Sequence, residues 1–151
     1  MGVSKALRRL LRVRAIEEEQ HRLALESAVG DLRNLERARD AVDARERQGR
    51  DAVTKSVLSG ELADRQAGLV EVTVAQGQAR ALAPRIARSE AKTIRLRQDY
   101  LEKRVERRQA ETLLEEAAAE DAVGSNRRTQ QSLDDWYGSG QHRKQAESEE
   151  Q

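Results

Sequence analysis

Runs of adjacent carboxylates, Glu17-Glu18-Glu19, Glu115-Glu116 and Asp134-Asp135 among them, and two histidines, His21 and His142, are the residues of this sequence that could carry acid–base or metal chemistry. Paired carboxylates divide acid and base roles when a dry cleft holds them together and drives their pKa values apart. These runs lie in helix-forming sequence, where adjacent side chains point in different directions, and no concave framework can be read around them. Their expected state is solvation. His21 falls on an apolar stripe and His142 in a polar stretch near the end, neither with a second ligand, so both read as ordinary polar positions. The sequence has no Cys, which excludes a thiol nucleophile, a disulfide framework and a Cys/His zinc site. Its nine glycines form no phosphate-cradling loop, and Gly-Lys-Ser/Thr does not occur. The sequence therefore predicts a protein that is not an enzyme, with no catalytic residue, no metal ligand and no cofactor.

The elements that hold these residues follow from composition. Leu, Ile and Val total 30 of 151 residues and Phe is absent, so the core must be thin. Charge-driven disorder is not the alternative, because 28 Lys+Arg face 27 Asp+Glu. Ala, Glu, Lys, Leu and Arg make up 84 residues, the composition of long helices and coiled coils. The spacing predicts an all-α fold: a long antiparallel two-helix coiled-coil hairpin over 1–140, with a short C-terminal helix and a mobile tail over 141–151. The first helix covers about 3–58, with Leu7, Leu11, Leu25, Ala28, Leu32, Leu35, Val42 and Val53 in one 3/4 register. Arg14, Glu18, His21, Arg39, Glu46, Gly49 and Ser56 fill its other slots.

Gly60 can adopt the left-handed conformation that closes a helix, which places the apex at about 59–61. The competing apex, 76–84, rests on Gln76-Gly77 and Pro84, the only proline. The preferred reading is one second helix over about 61–123, kinked at Pro84. Its seam is read as Leu69, Val72, Ala79, Ala83, Ile86, Ile94, Leu101 and Val105, interrupted by Gln76, Glu90 and Arg97. Pairing is expected to depend on Leu32, Leu35, Ile86 and Ile94. Gly124-Ser-Asn126 reads as a stop and a new N-cap, giving a short helix over about 127–137 that ends at Gly138-Ser-Gly140. At 1.5 Å per residue the two long helices would form a rod roughly 84–94 Å long.

Two basic clusters and one aromatic pair are the candidate binding residues. Lys5, Arg8, Arg9, Arg12 and Arg14 interleave with leucines at the start, and Lys103, Arg104, Arg107 and Arg108 would approach them in an antiparallel hairpin. Like charges gathered at one end are costly unless a partner meets them. The first cluster reads as a frayed amphipathic helix end, as a ligand for an acidic protein groove, or as a contact for an anionic membrane surface. Trp136-Tyr137 either staples the short helix or anchors in a partner pocket. The balanced charge argues against a nucleic-acid partner. No apolar run approaches the roughly 18 residues of a membrane span, and no secretory segment opens the chain, so the expected location is cytoplasmic.

The opening Leu7-Arg-Arg-Leu-Leu-Arg-Val-Arg14, followed by Glu17 to Glu19, resembles the start of the FliJ-type stalk family of flagellar and type III secretion export ATPases. The stretch Arg127-Arg-Thr-Gln-Gln-Ser-Leu-Asp-Asp135 is similar to that family's closing stretch. The resemblance implies a cytoplasmic central stalk, peripheral to the inner-membrane secretion apparatus, that couples the export ATPase hexamer to the export-gate membrane protein, with secretion chaperones as further partners. The end formed by Lys5 to Arg14 with Lys103 to Asp135 would meet the ATPase, and the apex around Arg45 to Leu69 would face the gate. The family often carries aromatic residues in its mid-hairpin, whereas positions 22–99 here have none, so no gate-contact residue is carried over. The competing class is a generic coiled-coil scaffold or chaperone-like adaptor, which would also lack catalytic groups.

Overall fold

The structure, a computed structural model, describes residues 2–149. Two α-helices, α1 (Gly2–Ser59) and α2 (Leu62–Glu149), pack against each other as a helical hairpin, with no strand among the described residues. The alternating Val70, Val72 and Val74 are therefore helical. The chain divides into two units: the described parts of Met1–Ile16 with Val105–Gln151 form unit 1, and Glu17–Arg104 forms unit 2.

The reversal lies in unit 2. Gly60 has φ 75°, the one positive φ among the described residues, and its N–H donates to the Ser56 carbonyl at 2.8 Å. This single bond back to the last turn is the left-handed helix cap that glycine forms without steric cost. The Arg65 N–H then donates to the Glu61 carbonyl at 3.3 Å, opening α2 with Asp64 in its first turn, where the helix dipole favours a negative charge. Helix α2 continues through the competing apex at 76–84. Arg80 and Pro84 are both exposed, so the carbonyl that Pro84 deprives of a donor stays open to water.

Helix α1 presents the expected 3/4 seam almost slot for slot. Its buried and half-buried positions include Leu7, Leu11 and Arg14 in unit 1, and Glu18, His21, Leu25, Ala28, Leu32, Leu35, Val42, Glu46, Gly49, Val53 and Ser56 in unit 2. Arg39 alone is exposed, and Ala38 is half-buried beside it. The α2 seam corrects the expected one. Val72, Ala79 and Ile86 lie on it, but Leu69, Ile94, Leu101 and Val105 are 48–58% exposed, and Ala83 is exposed too. The inward residues are instead Gly68, Val72, Ala75, Ala79, Leu82, Ile86, Ser89, Thr93, Leu96, Tyr100 and Lys103 in unit 2, then Arg107, Ala110, Leu114 and Ala117 in unit 1.

The reason lies in what each register would bury. The expected one would bring Glu90 and Arg97 inward, whereas the observed one turns Leu82, Leu96 and Leu114 inward and admits Arg65, Lys103 and Arg107 as its cations. Small residues also let the backbones approach closely. A Cβ added at Gly49 would lie 3.0 Å from the Gly68 carbonyl oxygen, and one at Gly68 would lie 2.8 Å from that of Gly49. The buried hydroxyls bond within their own helix, Ser56 Oγ to the Val53 carbonyl at 2.7 Å and Thr93 Oγ1 to that of Ser89 at 2.9 Å. Their burial therefore leaves no unmet donor.

The expected stop at Gly124-Ser-Asn126 and the separate helix over 127–137 do not occur, because α2 runs unbroken through Gly124, Gly138 and Gly140 to Glu149. Each glycine costs only about 1 kcal/mol relative to alanine in a helix interior. Local bonds tie the segment to helical geometry: Arg128 Nε donates to the Gly124 carbonyl at 3.3 Å and Thr129 Oγ1 to that of Ser125 at 3.0 Å. The expected mobile tail over 141–151 is helical as far as Glu149, and its last two residues lie outside the described residues.

Candidate functional site

In unit 1 the first turns of α1 pack beside α2, bringing Leu7 and Leu11 toward Ala110, Leu114 and Ala117. From Ala118 onward α2 has run past this seam. Every described side chain from there to Ser148 is exposed apart from the glycine position 124, which is half-buried. This extension carries Leu133, Trp136 and Tyr137, the two rings packing edge-to-face with centroids 5.1 Å apart and exposures of 68% and 64%. Each ring shelters the other in a T-shaped pair, and most of both surfaces stays in water. Ser139 Oγ donates to the carbonyls of Asp135 and Trp136 at 2.7 and 3.1 Å, holding the helix just after the pair.

The basic clusters separate into two kinds of residue. Lys5, Arg8, Arg9 and Arg12 are exposed on α1 and line a shallow surface depression with Ala6. Arg14 points inward instead, its Nη1 donating to Glu106 Oε2 at 2.7 Å between half-buried side chains. Arg107 is held by Glu111 one turn along α2, while Arg108 is exposed. In unit 2, Lys103 Nζ lies 4.0 Å from Glu17 Oε2 and Arg104 is exposed. Glutamates thus neutralise the inward members of both clusters, and the accessible members are Lys5, Arg8, Arg9, Arg12, Arg104 and Arg108.

The candidate acid–base residues are absorbed in the same way. Glu17 faces Lys103, Glu18 is half-buried on the seam, and Glu19 is bidentate to Arg22, whose hydrogen bond pulls its pKa down. Glu115, Glu116, Asp134, Asp135 and His142 are exposed, and His21 is a half-buried seam residue. Among the described residues no group of three or more His, Asp or Glu could hold a metal ion, and no helix is long and apolar enough to cross a membrane.

The turn end of unit 2 supplies residues that the sequence reading left unnamed. Val57, Leu58 and Leu62 flank Gly60 at 57%, 86% and 64% exposure. Their signal was present: large apolar residues off the 3/4 register on both sides of a turn glycine. Further along unit 2, Arg45 Nε donates to Glu71 Oε2 at 2.5 Å, and Gln76 Nε2 to Glu46 Oε1 at 3.3 Å. The Arg45 hydrogen bond lowers the Glu71 pKa, and the Gln76 bond, aided by Arg50, lowers that of Glu46. Glu61 is shifted the other way, chiefly by a hydrogen bond with Asp64 and by its like charge. The described residues present two surfaces, a cationic and aromatic one in unit 1 and an apolar one at the turn. No protein-family model matches the chain, and neither does any curated protein or solved structure.

Proposed function

We propose that this chain is a central-stalk component of a type III secretion or flagellar export apparatus, coupling an export ATPase hexamer to the export-gate membrane protein through protein contacts alone. The observation that carries the reading is the α2 extension beyond Ala117, a helix exposed nearly all round that carries Leu133, Trp136 and Tyr137. A helix with no packed face gains stability when a partner covers it, and paired aromatics are strong anchors for such a contact. Lys5, Arg8, Arg9 and Arg12, in the same unit, add a cationic surface suited to an acidic collar, where charge complementarity governs capture. The apolar turn at Val57, Leu58 and Leu62 gives the gate contact its residues. In this reading the protein works at the cytoplasmic face of the inner-membrane secretion apparatus, ATP is bound by the ATPase, and secretion chaperones dock transiently.

The test is reconstitution with an export ATPase hexamer. The intact protein should co-purify with the hexamer and stimulate ATP hydrolysis. Reversing Arg8, Arg9 and Arg12 to Glu, or ending the chain after Val123, should reduce both effects while leaving the helicity of the remaining residues unchanged. Equal stimulation by all three forms would refute the assignment of this end to the ATPase. No binding and no stimulation by the intact protein would refute the stalk reading.

A further inference from the structure

Helix α2 carries a second 3/4 repeat on its outward side. Pro84, Ala87, Ala91, Ile94, Gln98 and Leu101 follow one another at that spacing within unit 2, and all six are exposed. The inward residues of the same stretch run from Leu82 to Tyr100, so at about 100° per residue the two stripes lie roughly 150° apart around the helix. One face of α2 packs on α1, and the other has the pattern of a coiled-coil seam without an occupant.

We infer that this outer stripe is a homodimer interface, taking α2 of a second copy of the chain in antiparallel orientation about a two-fold axis between positions 92 and 93. The stripe is complementary to itself in that arrangement. Pro84 faces Leu101 of the second copy, Ala87 faces Gln98, and Ala91 faces Ile94, so each layer sets a smaller residue against a larger one, as close packing requires. A parallel pair would stack Ile94 on Ile94 and Ala91 on Ala91, alternating crowded and empty layers.

The flanking charges agree. Glu90 faces Arg97 of the second copy and Arg88 faces Glu102, and two-fold symmetry makes each of these contacts twice. Like charges also approach near the axis, Arg95 with its own copy and with Arg88 of the second copy, and Glu90 with its own copy. All five flanking residues are exposed and have no ion-pair partner among the described residues. The stripe spans about 27 Å of helix, a contact at the small end of specific interfaces, below about 1,200 Å². The dimer is therefore weak, with a dissociation constant on the order of 1–100 µM. The inference does not depend on the export reading.

Sedimentation velocity of the full chain from about 1 to 500 µM, spanning that range, reads the equilibrium directly. A concentration-dependent dimer is expected. Ile94→Glu with Leu101→Glu should leave a monomer throughout, with helicity and melting at low concentration unchanged because both side chains are exposed in the hairpin. Glu90→Arg should weaken the dimer about tenfold or more by turning two attractive contacts repulsive. Adding Arg97→Glu to the same chain should restore it. In a parallel pair Glu90 would face Arg95 and Arg97 would face Glu102, so the double reversal would weaken the dimer further. A monomer at every concentration, or a dimer indifferent to Ile94→Glu and Leu101→Glu, overturns the interface. Failure of the double reversal to restore binding overturns the antiparallel arrangement.

Discussion

Replacing Gly49 or Gly68 by alanine should destabilise the hairpin, although the same change elsewhere in these helices should stabilise it. Alanine in an exposed helix interior is favoured over glycine by up to about 1 kcal/mol. Gly30 and Gly77 offer that gain without a steric cost, since a Cβ at either meets nothing within 4 Å. At Gly49 the new Cβ would lie 2.9 Å from Val72 Cγ2, 3.0 Å from the Gly68 carbonyl oxygen and 3.1 Å from the Val72 nitrogen. At Gly68 it would lie 2.8 Å from the Gly49 carbonyl oxygen and 2.9 Å from Val53 Cγ2. A side chain can rotate away, but a facing backbone cannot, so the helices must separate locally and loosen Val53 and Val72. Overpacking of this kind costs about 1–3 kcal/mol. The net effect at Gly49 is a loss of about 1 kcal/mol, and at Gly68 somewhat more. Urea titrations followed by circular dichroism at 222 nm resolve such differences, which in melting temperature correspond to roughly 2–4 °C per kcal/mol for a chain of this size. The double variant should cost less than the sum of the singles, since the first methyl already opens the space for the second. Gly49→Ala stabilising the protein as much as Gly30→Ala would refute the close backbone approach.

Further expectations rest on the seam and its ion pairs. Leu35→Glu should cost about 2 kcal/mol or more by placing a charge on the seam, while Leu23→Glu and Ile94→Glu, at 52% and 58% exposure, should change the monomer's stability little. Equal losses at Leu35 and Ile94 would invert the α2 register. Glu71 and Glu46 have lowered pKa values in the fold, so their contributions are present above the ordinary glutamate range and disappear as pH falls through the folded values. Glu61, raised by Asp64, has the opposite sign: its contribution is favourable at acid pH and is lost as pH rises through its folded value. In melting temperatures followed from pH 7 to pH 3, Glu71→Gln should therefore flatten the acid loss, and Glu61→Gln should raise the value at pH 7. Reversed signs would rule out these pairings. A double-mutant cycle on Arg14 and Glu106 should give a coupling of about 0.5–1 kcal/mol, and zero coupling would show that the pair does not hold the register.

How much of this was legible in the sequence differs between the helices. On α1 the register was readable because Leu25, Ala28, Leu32, Leu35 and Val42 have no apolar competitor of similar strength on another face, and the structure turns all of them inward. Even the polar slots followed, with Arg14 and Glu46 held by Glu106 and Gln76 of α2. The turn was readable for a similar reason, since Gly60 offers a left-handed cap just where the α1 register runs out. The end of α2 is less legible, because its glycines look like breaks. A glycine stops a helix only when the chain gains by leaving it, and Gly124, Gly138 and Gly140 all sit inside continuous helix.

On α2 periodicity alone could not choose between two stripes, and the residues that misled the reading are informative for that reason. The outer stripe carries Ile94 and Leu101, while the inner one mixes Leu82, Ile86, Leu96 and Tyr100 with Ala75, Ser89, Thr93 and Ala110. The small and polar residues between the large ones break up the inner stripe as it is read along the sequence. What decides is the partner. Opposite a helix whose seam holds Ala28, Gly49 and Ser56, close approach rewards small residues, and a large side chain at their positions would force the helices apart. Ile94 and Leu101, at 58% and 48% exposure, lie off the intramolecular seam and keep part of the drive to be buried. An ordered 3/4 stripe left on the outside, flanked by charges that complement their own copies, is better explained by a second helix than by chance exposure. The residues that made the fold hard to read are the ones that specify its next contact.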